Sequence, residues 1–383
     1  MSNSFNYDDM RPYYDNEVNE VLQRVIADPL FMKLVNNIWP EMTLKEVKRK
    51  AELINSVKEF QMEFMHPAAR VIINRSSELL TGSGFENLDK NQAYLFIANH
   101  RDIMLDSGIL NMLLVENGFD SSEITIGDNL MTNQFISDFV RINKILTVSR
   151  EGTGRELYDI SRKLSAYIRY TITEKNVSVW IAQRNGRTKD GNDLTQTGLL
   201  KMLNISGTGT FAEKFSQLKI VPVSISYEYE PCDLLKVQES FLSDLNAQYV
   251  KAPGEDLNSI ITGIMQPKGR IHLAIGKPIV NELQNFENIS NENDKIKALT
   301  ALVDKQIYAD YKLWSVNYVA ADMVTNSTTH SHQYTIQDKE NFIKYINSQV
   351  NKINGDKETL FNLFVAMYAN PVKNKVLEVS KVE

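Results

Sequence analysis

A chain of 383 residues with 43% hydrophobic and 23% charged residues can bury a core without covalent staples and has the composition of a soluble globular fold. A net charge of −6 argues against a general nucleic-acid binder, and a single cysteine, Cys232, excludes a disulfide framework. One Cys and five scattered His cannot supply a zinc-type ligand spacing.

The N-terminus, MSNSFNYDDMRPYYDNEVNE, is polar and acidic, unlike a secretory signal. No apolar run reaches the roughly eighteen residues of a spanning helix. The chain therefore reads as cytoplasmic. Residues 14–80 read as helices. Val18, Val21, Leu22, Val25 and Ile26 recur at helical spacing until Pro29 interrupts them. A second run begins at Thr43, with Glu46 three positions on, the pattern of a capping box. The turn-rich LLTGSGFENLDKNQ marks a boundary near residue 85.

Beyond it the pattern changes. AYLFIA, KILTVS, VSVWIA, KIVPVSISY and RIHLAIG read as buried strands, separated by helical stretches such as LDSGILNMLLVENG and GRELYDISRKLSAYIRYTITEK. Such alternation predicts an α/β fold with a central, mostly parallel sheet and flanking helices. Pro222, inside one run, argues for an edge position or a bulge. Three regions follow: helical residues 1–85, an α/β unit at 86–283, and helical residues 284–383. His330 and His332, in the polar TNSTTHSHQ, read as solvated loop.

The stretch FIANHRDIMLDSGILN carries the chemistry. Its His-Arg-Asp resembles a kinase catalytic loop, but Ser107 stands where the metal-binding Asn belongs, and no Asp-Phe-Gly follows. That reading fails. His100 instead follows a strand, where α/β folds gather function, and Asp102 or Asp106 could fix its tautomer. Positions two and six residues away lie on another face of a helix. Either pairing therefore needs His100 in the loop. Further strand ends carry Arg150 and the loop QRNGRTKDGND, with Arg184, Arg187 and Lys189 around Gly186. Basic loops on a net acidic chain suggest an anionic ligand, most plausibly phosphate.

NHRDIMLD, ILTVSR, WIAQRNGRT and IVPVSISYE, closed by RIHLAIGKPI, resemble in order the blocks of the glycerophospholipid acyltransferase family. The resemblance covers residues 94–280. It implies that His100 is a general base oriented by Asp106, and that Arg150 and Arg187 hold an acceptor phosphate. Arg184, Thr188 and Lys189 would contribute to that site. It further implies transfer of a fatty acyl group from acyl-CoA or acyl carrier protein to a hydroxyl of a phosphorylated glycerol, glycerol 3-phosphate or its 1-acyl derivative. It implies no metal or other cofactor, and a peripheral position at the inner face of a membrane. Two departures stand out. Five residues separate His100 from Asp106 where the family has four, and Arg184 or Asn185 replaces the family's loop glutamate. A different acceptor, or a relative that binds lipid or acyl carrier without transfer, is the alternative reading.

Overall fold

The structure, a computed structural model, describes residues 5–131, 133–149, 152–245, 249–252 and 254–379. Seven strands form one sheet: β1 (Leu79–Ser83), β2 (Leu95–Ala98), β3 (Glu123–Gly127), β4 (Ile145–Val148), β5 (Val179–Ala182), β6 (Ile220–Tyr227) and β7 (Arg270–Ile275). Their order is β1-β7-β6-β2-β5-β3-β4, and every pairing is parallel except β6 with β7. The five strands expected from sequence are all present.

Alternation within each strand divides the core between the two sheet faces. Leu95 and Ile97 of β2 and Ile181 of β5 meet Leu164, Ile168 and Leu200 on one face. Phe96, Ala98 and Trp180 meet Ile109, Leu110 and Leu113 on the other. The helix Glu292–Asp310 covers the first face through Leu299, Val303 and Ile307. The N-terminal helices have their own core around Val21, Leu22 and Phe60, joined by Phe135 and Ile142. The C-terminal helices pack Phe342 and Phe364 against Val237 and Phe241. Pro29 opens a new helix whose N-cap is Asp28, and Thr43 with Glu46 forms the expected capping box.

Three features differ from the sequence reading. First, the turn-rich boundary contains β1, so the sheet begins before residue 85. β1 is a half-exposed edge strand ending in Gly82-Ser83, which hides it from a hydrophobicity pattern. Second, β3 carries Glu123, buried because Lys175 and the Tyr167 hydroxyl (2.8 Å) satisfy its carboxylate. A charged residue masks that strand too. Third, of the two readings of Pro222, an edge or a bulge, the edge is excluded because β6 lies between β2 and β7, and the bulge holds. Val223 faces Ile275 but Ile220 faces Ile279, so the partner chain places three residues opposite two. Pro222 faces this bulge, its carbonyl accepting from the Gly276 amide at 2.9 Å. No regular ladder donor is missing there.

Candidate active site

β2 is followed by Asn99, whose side chain continues the sheet pairing. Its Oδ1 accepts from the Ile225 amide at 2.8 Å, and its Nδ2 donates to the Ile225 carbonyl at 2.9 Å. The backbone is thereby free to turn away. The His100 carbonyl accepts from the Thr188 amide at 2.9 Å, and the Arg101 carbonyl from Lys236 Nζ at 2.7 Å. The helix Leu105–Glu116 begins only after this loop, so the extra residue is absorbed before the helix starts.

Asp106, in the first helical turn, closes the loop from below. Its Oδ2 lies 2.9 Å from His100 Nδ1 and accepts from the amides of Arg101 (2.6 Å) and Asp102 (2.9 Å). Its Oδ1 accepts from the Tyr227 hydroxyl at 2.8 Å. Burial and the neighbouring carboxylates push the Tyr227 phenol up, so it stays a donor. A buried carboxylate with four donors is fully satisfied. It holds the proton of His100 on Nδ1 and leaves Nε2 for the cleft that His100 lines. The His100 side chain is 13% exposed, and its ring stands edge-on to Trp180, with centroids 5.7 Å apart.

Asp102 points elsewhere. Its Oδ1 caps the helix through the amides of Met104 (2.9 Å) and Leu105 (2.8 Å). Its Oδ2 is buried without a partner, and burial, then Asp106, pushes this carboxyl up. Gly263 lies against it: a Cβ there would sit 2.1 Å from Oδ2.

Behind the loop lies a buried charge cluster that the sequence did not announce. The Arg101 guanidinium pairs with Glu230 at 2.9 Å and closely with Asp193, and Lys236 binds Glu230 at 2.5 Å. These residues follow β2, β5 and β6, so the cluster ties three strand ends together. The acids of YEYEPCD at the end of β6 were its only sequence signal, and their partners lie far off in the chain.

The cleft beside His100 encloses about 640 Å³. Ile103, Ile126, Val148, Leu164 and Leu199 give it an apolar wall, and Arg184, Arg187 and Lys189 enter from the loop after β5. Arg184 Nε and Arg187 Nη1 are buried without a hydrogen-bond partner. Lys189 is paired with Glu239, a cleft carboxylate from the helix Asp233–Leu245 that sequence reasoning missed. Burial pushes Lys189 down to about 8 against the pull of that acid. Thr188 departs from expectation. It is fully buried, and its hydroxyl turns back to Asp190 at 3.1 Å, so it supports the loop and does not line the cleft. Arg150 lies outside the described residues.

Residues 80–226 match the family model described as Acyltransferase. Among solved structures, the 1-acyl-sn-glycerophosphate (LPA) acyltransferase PlsC from Thermotoga maritima is similar at 14% identity, with a TM-score of 0.38. The alignment covers 76% of this chain and 93% of that one, and at this score the likeness carries no weight for chemistry. No curated protein matches the chain. The residues that match this family model hold the His100 loop, Asp106 and the basic loop after β5.

Proposed function

We propose that the protein transfers a fatty acyl group from an acyl thioester, on coenzyme A or an acyl carrier protein, to a hydroxyl of a phosphorylated glycerol. The observation that carries this reading is the 2.9 Å contact between His100 Nδ1 and Asp106 beside a cleft with unpartnered arginine nitrogens. His100 Nε2 takes the proton of the acceptor hydroxyl as its oxygen attacks the thioester carbonyl. The tetrahedral intermediate collapses, the carbon–sulfur bond breaks, and the imidazolium returns the proton to the departing thiolate. Asp106, bound to Nδ1, orients the ring and stabilises the imidazolium. Arg187 and Arg184 bind the acceptor phosphate, with Lys189 beside them and Arg150 a further contributor. The apolar wall takes part of the acyl chain.

Glycerol 3-phosphate and its 1-acyl derivative are the acceptors of choice, and the enzyme works peripherally at the inner face of the cytoplasmic membrane. Among the described residues, no helix is long and apolar enough to cross a membrane. One observation favours a different acceptor: Arg184 or Asn185 stands where the family has a glutamate, while Glu239 brings a carboxylate from another element. The deciding experiment incubates the purified protein with acyl-CoA or acyl carrier protein and a panel of phosphorylated and unphosphorylated acceptors. Mass spectrometry should find acylated glycerol phosphate. Thioester consumption with only an unphosphorylated acceptor would move the reading to the other acceptor class, and no product from any pair would end it.

A further inference from the structure

The helix Glu255–Met265 is turned inside out. Ser259 and Gly263, four residues apart, form its buried face, with Gly263 against Asp102 of the catalytic loop. Its outward face is apolar: Leu257, Ile261 and Met265 are 58%, 53% and 72% exposed, and Ile260 and Ile264 beside them are half-buried. These positions are spaced as one continuous helical stripe. Val250, just before the helix, is 82% exposed. A soluble helix ordinarily presents the reverse arrangement, and a contiguous exposed apolar face marks a contact surface.

From this polarity we propose that the stripe docks the protein on a lipid surface, with the cleft mouth at the contact. Lys251 and Asp256 line the cleft and pair with each other at 2.6 Å, so the stripe starts at the cleft rim. A second copy of the chain is a poor occupant. The eight-residue step from Leu257 to Met265 spans about 12 Å, so a face one helix wide, about 10 Å, offers on the order of 120 Å² in projection, far below the roughly 800 Å² per partner of a stable dimer. An acidic carrier protein is disfavoured by Glu255 and Asp256 in the first turn and by the lack of any basic residue along the helix. A bilayer needs neither a large area nor charge, because an in-plane helix sinks its apolar face into the acyl boundary. The choice of lipid over protein rests in part on the proposed acyl substrate, but docking is measured without substrate.

The test is flotation of the full-length protein with phosphatidylcholine vesicles at low and high salt, against the variant L257Q/I261Q/M265Q. The wild type should float at both salt concentrations, and the variant should lose about tenfold or more in vesicle partition with an unchanged melting temperature. Should the variant unfold, Ile261→Trp serves instead, its emission shifting to the blue only when vesicles are added. Equal flotation of both proteins, no flotation of the wild type, an unshifted tryptophan, or a wild-type dimer that the variant abolishes would each overturn docking. A protein that floats through the stripe yet transfers no acyl group would leave docking standing and remove the proposed reaction.

Discussion

The surroundings of His100 and the loop after β5 lie side by side, and their hydrogen bonding is finished to different degrees, although Asp102 Oδ2, pointing away from the ring, also lacks a partner. Around His100 the recognition is internal: Asp106 has four donors, and the carbonyls of His100 and Arg101 each have a partner from another segment. Around Gly186 it is incomplete, with Arg184 Nε and Arg187 Nη1 buried and unpartnered. A completed hydrogen-bond set holds a base in one geometry before substrate arrives. Unpartnered buried donors cost free energy in the empty protein and regain it when an anion binds. On this view the first loop sets rate and the second sets affinity.

That division can be broken most directly at His100. The substitution His100→Ala should lower kcat/KM by about 10²–10⁴-fold while the fold survives, read by steady-state kinetics and circular dichroism. Loss of only a few-fold would remove His100 as the base. Behind it, Arg101→Met leaves Asp193 buried without its cation and Glu230 with Lys236 alone. A cost of about 3–5 kcal/mol in denaturant unfolding is expected from an uncompensated buried charge. An unaffected midpoint would mean that the cluster does not hold the strand ends together.

The two aspartates separate next. Asp106→Asn keeps the shape but cannot fix the Nδ1 tautomer, and kcat should fall by about 10²-fold or more. The change Asp102→Asn, at a cap directed away from the ring, should cost no more than several-fold. Reversed sizes would exchange their roles. On the affinity side, Arg187→Ala should raise the acceptor KM by about 10–100-fold, the worth of a charge-assisted hydrogen bond, and leave the donor KM nearly unchanged. Equal damage to both constants would merge the two loops into one function.

The smallest effect is a titration. Burial places Lys189 near 8, so it is a cation below that pH and neutral above it. The acceptor KM should therefore rise several-fold between roughly pH 7 and pH 9, and K189M should flatten that rise. A rise that persists in K189M belongs to another group.

Much of this was legible in the order of residues, because it depends on neighbours in the chain. Helical periodicity, the interruption at Pro29, the Thr43–Glu46 cap and five of the seven strands need only spacing and local backbone preference. The contact of His100 with Asp106 was within reach as well, since six residues with a late helix start bring both to one turn. What stayed hidden depends on partners distant in sequence. Nothing near Asn99 says that its side chain will extend the sheet to Ile225, nor that Tyr227 will complete Asp106 from 121 residues away. Thr188 was expected to bind ligand because it matches the loop of the family the sequence resembles, yet the close approach of two strand ends turned it into a support for His100. Likewise the order of residues from Leu257 to Met265 does not tell which face of their helix is inward. Periodicity defines that a helix has two faces; only packing against Asp102, where nothing larger than glycine fits, decides which of them meets the solvent.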